Sequence, residues 1–344
     1  MKCSPLPRAL LAIALLTLTI AGCGSDDDTA STAATSTAEA SASAFPVTVE
    51  HKYGPTTITS APKRIVSVGL TEQDVLLDLG LKPVAVTEWY GEQPNAVWPW
   101  ARAALGETKP EVLSTTDGFQ FERIAALRPD LIIGTNSGMK RADYEKLSAI
   151  APTIAPPKGS TDYFSPWDVQ TQLIADAVGR HDEGRKRIAE LKARFAKAAA
   201  DHPQFAGKTA TFSQNGFYSG ELYVYPDGVN TQFLTSLGFK INPRVTAMPH
   251  KAGEQVAVSQ EQLPVIDADV IVFATEDAKD IKNLEKVATF TTLGAVKSNR
   301  SVFTDATLAG AIYFMTPLSL DYVLEHLTPQ LADAVAGQAP RQMR

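Results

Sequence analysis

The side chains with the most chemical reach stand just after short apolar runs. After RIVSVG (64–69) come Leu70, Thr71 and Glu72, and after PVAVT (83–87) come Glu88, Trp89 and Tyr90. After LIIGT (131–135) come Asn136, Ser137, Lys140 and Arg141. Matching places in the second half hold Asn215, Phe217 and Tyr218, then Arg244 and His250, then Glu276 and Asp277, and late in the chain Tyr313 and Phe314. Aromatic rings with a few cations suit a large planar or anionic ligand, held by stacking and charge. The expected ligand contacts are Thr71, Trp89, Tyr90, Asn136, Lys140, Arg141, Phe217, Tyr218, Arg244, His250, Tyr313 and Phe314, in a cleft that is locally basic.

Catalytic and metal chemistry find no matching pattern. The five histidines, His51, His181, His202, His250 and His326, are never spaced i, i+2 or i, i+4. No G-x-G-x-x-G, phosphate loop or H-E-x-x-H occurs, and GTNSG (134–138) lacks the spacing of a nucleophile elbow. The only cysteines are Cys3 and Cys23, so the rest of the chain has no disulfide, thiolate metal site or cysteine nucleophile. With 38 acidic and 32 basic side chains the net charge is −6, which argues against a nucleic-acid footprint. No enzyme activity, resident metal or cofactor is expected.

The elements that must position these residues alternate between strand-like and helix-like stretches. A chain of 344 residues, 44% hydrophobic and 20% charged, is long enough for two domains. TEQDVLLDLG (71–80) has helical spacing and a glycine stop, and NTQFLTSLGFKINP (230–243) repeats its pattern with Gly238 in the place of Gly80. Within 119–135 and 259–275, residues 120–135 and 259–274 overlay without gaps, with Glu122 on Glu261, Ile124 on Leu263, Leu127 on Ile266 and Asp130 on Asp269. This predicts two similar Rossmann-like α/β lobes, each with a mostly parallel sheet and the ligand cleft between them at the carboxyl ends of the strands. The expected lobes are 45–165 and 205–344, joined by a helical segment at 166–204. Within it, residues 182–200 are rich in Ala, Lys, Arg and Glu and predict a single long rigid α-helix of roughly 28 Å.

The first 23 residues read as an address. Lys2 and Arg8 precede an apolar run too short to span a membrane, and Ile20-Ala21-Gly22-Cys23 looks like a lipobox. The expectation is a lipoprotein signal peptide at 1–22, lipidation at Cys23 and a disordered tether over 23–44. Losing Lys2 and Arg8 takes the net charge from −6 to −8. The protein would then be extracytoplasmic and anchored to the cell membrane by lipid.

With its segments in this order, the chain resembles the substrate-binding lipoproteins of iron–siderophore and cobalamin ABC importers, the class III periplasmic binding proteins. APKRIVSVGLTEQDVLLDLGLKPVAV (61–86), FERIAALRPDLIIGT (121–135), YEKLSAIAPTI (144–154) and the stretch from ADVIVFAT to AVKSNRSVFTD (268–305) carry the likeness. The resemblance implies a monomeric binder that captures a ferric siderophore without catalysis and delivers it to an ABC permease. It also implies docking on the permease through an acid on each lobe, from Asp143 and Glu145 on one and from Glu276, Asp277 and Asp280 on the other. Some relatives carry a glutamate nearer the strand, where this chain has Lys140 and Arg141. Cobalamin or haem on the same scaffold stays open, with Tyr90, Tyr218 and His250 as axial candidates for haem. The readings from other classes are an extracytoplasmic enzyme or a scaffold acting in iron acquisition.

Overall fold

A computed structural model describes residues 44–161, 163 and 165–342; the signal segment, Cys23 and nearly all of the tether lie outside the described residues. Short runs rich in β-branched residues become parallel strands when helices cover both faces. The first half shows this after an antiparallel hairpin of β1 (Val47–His51) and β2 (Gly54–Ile58). There follow β3 (Ile65–Ser67), α1 (Glu72–Asp78), β4 (Ala85–Thr87), α2 (Pro99–Leu105), β5 (Glu111–Leu113), α3 (Phe121–Ala126), β6 (Leu131–Ile133), α4 (Arg141–Ser148) and β7 (Thr153–Ile154). β3 to β7 form a parallel sheet in the order β5-β4-β3-β6-β7, with β3, β4 and β6 wholly buried. The chain moves from β3 to β4 and β5, then returns to the other side at β6. That reversal opens a crevice at the carboxyl ends of β3 and β6.

α5 (Trp167–Ala177) and α6 (His181–Asp201) lead to the second half. It contains β8 (Thr209–Gln214), β9 (Glu221–Tyr225), α7 (Gln232–Thr235), β10 (Lys240–Ile241), α8 (Pro243–Thr246), β11 (Val256–Ser259), β12 (Val270–Ala274), α9 (Ala278–Glu285), α10 (Gly294–Lys297), β13 (Ser301–Phe303), α11 (Ala306–Phe314) and α12 (Pro317–Val335). The sheet order is β11-β9-β8-β12-β13, with β10 paired to the start of β8. β8, β10, β12 and β13 are parallel, as predicted, but β9 and β11 are antiparallel. The physical reason lies in a two-residue turn. Ser219 and Gly220 both have positive φ (53° and 86°), and Tyr218 and Glu221 exchange backbone hydrogen bonds of 2.8 and 3.1 Å across them. That geometry folds the chain straight back as a hairpin instead of crossing over through a helix.

The overlaid segments of the two halves share one structural duty. The carboxylate of Asp130, just before β6, accepts from the N–H groups of Lys63 and Arg64 at 2.7 and 2.8 Å, at the entry to neighbouring β3. Asp269, just before β12, accepts from the Thr209 N–H at 2.8 Å, at the entry to neighbouring β8. Each aspartate thus pins the starts of two adjacent parallel strands. The preceding helix is not shared: α3 corresponds to a 3₁₀ turn at Leu263–Ile266, which holds Pro264.

The long predicted helix exists as α6, one residue longer at each end than 182–200, but it is not an isolated rod. α5 sinks Leu173, Ile174 and Ala177 into the core of the first sheet. α6 sinks Leu191 and Phe195 into the core of the second, against Phe212 and Leu331. The two helices cross closely at Gly184, where an added Cβ would lie 2.4 Å from that of Ala175. Arg187 of α6 then reaches both halves: its Nε lies 2.7 Å from Asp78 on α1 and its Nη2 lies 2.6 Å from Asp321 on α12. One turn before Asp78, Asp74 is fully buried. It accepts from Trp100 Nε1 and from the hydroxyl of Thr316 at the start of α12, both at 2.7 Å.

Two predictions follow from this junction. Arg187→Met leaves two carboxylates facing each other without their shared cation, so urea unfolding should show a loss of about 3–5 kcal/mol. Burial pushes the Asp74 carboxyl up to about 7. A raised carboxyl stabilises the fold most below its unfolded pKa, about 4, and that stabilisation is lost as pH rises through about 7. Urea titrations from pH 4 to 8 should therefore show a decline in stability with pH that is shallower in Asp74→Asn, whose amide mimics the neutral acid.

Candidate functional site

The carboxyl ends of the two sheets face a cleft made of two cavities. The first, of about 650 Å³, is walled by Val68 and Leu70 after β3, Thr87 and Trp89 after β4, Ser114 and Thr115 after β5, Ser137 and Gly138 after β6, and by Phe119, Gln120 and Asp143. The second, of about 550 Å³, is walled by Gln214 on β8, Tyr223 and Tyr225 on β9, Asn230, Glu254, Gln255, Glu276 after β12, Tyr313 on α11, and by Trp89 and Tyr90. Trp89 belongs to both walls. Cavities of this size suit small-molecule ligands.

An aromatic seam underlies Trp89 and ties the halves together. Trp89 meets Tyr90 edge-on at 5.0 Å and Phe314 at 5.5 Å between ring centroids. Tyr90 meets Trp98 at 5.2 Å and Tyr313 at 6.2 Å, and Trp98 stacks on Trp100 at 5.1 Å. Phe314 is 3% exposed and packs on Trp98 and Trp100, so it supports the wall from behind.

The phenols of Tyr90, Tyr225 and Tyr313 in the second cavity stay protonated. Burial pushes Tyr225 up to about 12 and raises Tyr90 and Tyr313 well above the ordinary phenol range, and the Glu276 charge adds to the rise for Tyr90 and Tyr313. Gln255 Nε2 donates to the Tyr225 hydroxyl at 2.6 Å and to Gln214 Oε1 at 2.8 Å. The Tyr90 hydroxyl is buried without a hydrogen-bond partner among the described residues. A buried polar group of this kind is costly unless a ligand or water meets it. Burial, then Asp280 and Asp277, raise the Glu276 carboxyl above its ordinary value.

Below the first cavity a second buried carboxylate organises the loops. Glu72 accepts from the N–H groups of Asn136 and Thr71 at 2.6 and 3.0 Å and from the Thr135 hydroxyl at 3.3 Å. Asn136 Nδ2 and Gln170 Nε2 in turn donate to Thr71 Oγ1 at 3.0 and 3.3 Å. Gly69 has no room for a side chain, because an added Cβ would lie 1.9 Å from Glu72 Oε1.

The structure sorts the twelve expected contacts. Trp89, Tyr90 and Tyr313 line the cavities. Thr71 and Asn136 are buried in the Glu72 network, Phe314 lies behind Trp89, and Phe217 packs on the second core. Tyr218 is 72% exposed at the β8–β9 turn. Lys140 precedes α4 at the surface, and Arg141 lies over the Tyr53 ring at 4.9 Å. Arg244 donates to the Asp267 carbonyl, and a His250 ring nitrogen lies 2.8 Å from the Met248 carbonyl. Among the described residues no lysine or arginine lines either cavity, whereas Asp143, Glu254 and Glu276 do. The expected basic cleft is therefore replaced by an aromatic and acidic lining. Nearby cations are already paired: Lys251 lies 3.3 Å from Glu254 of the cavity wall, and Arg123 lies 2.6 Å from Glu111.

The acids expected to dock a partner also divide. Asp143 accepts from the Lys140 N–H at 3.1 Å, and Asp280 accepts from the N–H groups of Glu276 and Asp277 at 2.8 and 3.1 Å, as helix caps. Glu276 faces the cleft, while Glu145 and Asp277 are exposed. Tyr223, Tyr225, Gln214 and Gln255 were not anticipated. Their signal is the period-two run ELYVY, in which Leu222 and Val224 face inward and the tyrosines face the cleft. Among the described residues no cluster of His, Cys, Asp or Glu could hold a metal ion, and no helix is long and apolar enough to cross a membrane.

Comparison with known proteins agrees with this architecture. A family model described as periplasmic binding protein matches residues 65–308. A probable siderophore-binding lipoprotein of Bacillus subtilis is 32% identical over 257 residues, 70% of this chain and 72% of that protein. The crystal structure of a periplasmic solute binding protein from Mycobacterium smegmatis aligns with a TM-score of 0.78 at 40% identity, covering 84% of this chain and 98% of the other. Streptococcus pneumoniae PiaA in complex with ferrichrome aligns with a TM-score of 0.71 at 25% identity, covering 85% and 99%. A two-lobed α/β chain with its cavities at the strand ends, matched by that family model over most of its length, belongs to the periplasmic binding protein family, whose members bind solutes.

Proposed function

We propose that this protein captures a ferric siderophore between its lobes and hands it to an ABC permease, held outside the membrane by a lipid on Cys23. The observation that carries the reading is the pair of aromatic-walled cavities meeting at Trp89, with the carboxyl ends of both sheets converging on them. The ferrichrome complex of PiaA and the siderophore-binding relative support this cargo class. The iron travels as part of the cargo and is not a resident cofactor. Binding without catalysis is supported by Ser137, whose hydroxyl donates to the Gly134 carbonyl at 2.8 Å.

We divide the mature chain into lobes at 45–165 and 205–344 around the α5–α6 segment at 166–204. The Arg187 fork supports limited rocking in place of a wide swing. Glu145 and Asp277 are the acids best placed to meet the permease, because both are exposed. Rim charges of this kind steer association and are screened by salt.

Titration with ferrichrome should quench tryptophan emission, and Trp89→Phe should lose most of the quench and weaken binding about tenfold or more. A panel of ferric hydroxamates, catecholates and citrate that leaves the emission unchanged would rule the reading out. For docking, the double variant Glu145→Lys with Asp277→Lys should keep the ligand Kd while radioiron uptake by cells falls severalfold.

A further inference from the structure

We infer that the cleft selects its cargo by charge: the Glu276 carboxylate, set in the wall of tyrosines, receives an ammonium group of the ligand. The favoured cargo is then a ferric complex that is cationic, with neutral ones next and polyanionic ones disfavoured. The inference rests on the proposed function and names the ligand class within it.

Glu276 stands at the carboxyl end of β12, in the same cavity wall as Trp89, Tyr90, Tyr225 and Tyr313. It is partly buried, and among the described residues no lysine, arginine or histidine pairs with it. Its charged neighbours are Asp277 and Asp280, and the cavity's other acid is Glu254. The cations in the region are already committed. Lys251 lies 3.3 Å from Glu254, and Lys279 lies 3.7 Å from Asp277. The first cavity adds Asp143 and, among the described residues, no cation.

The energetics favour one sign of ligand. A polyanion seated here would bring like charges together in a partly desolvated space, which disfavours its binding. An ammonium group gains from the carboxylate and also from the electron-rich faces of the tyrosine and tryptophan rings. Among the described residues no side-chain hydrogen bond of Glu276 holds the fold; Asp280 accepts from the Glu276 N–H, not from its carboxyl. Neutralising its carboxylate therefore tests selectivity without dismantling the α9 cap.

The test uses the full chain in detergent at low salt, with three ferric probes read by calorimetry. They are ferrioxamine B, which carries a terminal ammonium, its neutral N-acetyl derivative, and ferric citrate. The expected result is that ferrioxamine B binds about tenfold more tightly than the acetylated form, and ferric citrate most weakly. Glu276→Gln should bring the first two within about twofold of each other and strengthen ferric citrate. Glu276→Asp should restore a preference for the ammonium form. Equal affinities for the first two probes in the native chain, or tightest binding of ferric citrate, would overturn the charge selection while leaving siderophore capture standing. Failure of all three probes to bind would overturn both.

Discussion

Arg187 divides its guanidinium between Asp78 on the first lobe and Asp321 on α12. Everything at the cleft depends on the angle this fork sets. The three groups are largely buried, and burial raises the Asp78 carboxyl even with Arg187 beside it. Desolvation therefore consumes much of the Coulombic gain, and the clamp contributes geometry more than net stability. Arg194, one further residue set along α6, also pairs with Asp321. Asp74 adds a second tie through Thr316 and Trp100, so α1 is held against α12 at two successive turns.

That constraint decides how the two sheets present their ends. Once α1 is held against α6 and α12, Trp89 and Tyr90 after β4 come against Tyr313 and Phe314 of α11. The aromatic seam forms the floor shared by the two cavities. The floor is stiff because each large ring has another behind it. Beneath the first cavity, Glu72 gathers the loops after β3 and β6 on one carboxylate, which leaves no room for a side chain at Gly69.

The repeat was readable because it shows as a short motif, although the contacts behind it span 60 to 67 residues. An aspartate followed by an apolar strand recurs at Asp130 and Asp269, where each carboxylate meets backbone N–H groups at the start of the neighbouring strand. Trp89 and Tyr90 were readable as cleft residues for a similar reason: they directly follow a buried parallel strand. Arg244 and His250 were not readable as they stand. Both lie at strand-end positions, yet both side chains meet nearby carbonyls, of Asp267 and Met248. The β9 tyrosines escaped notice because a five-residue alternating run is short, and its pairing depends on a turn at Ser219 and Gly220.

The amino-acid sequence alone determined the α/β class, the duplicated halves, the long helix near 182–200 and the likeness to siderophore-binding lipoproteins. Each of these rests on patterns within one element or between adjacent ones. Tertiary structure alone decided the sign of the cleft. Which charges face a cavity depends on how each side chain pairs in the fold, as Arg123 does with Glu111 and Lys251 with Glu254. Ion pairs and carbonyls took the cations, and the cavity walls kept Asp143, Glu254 and Glu276.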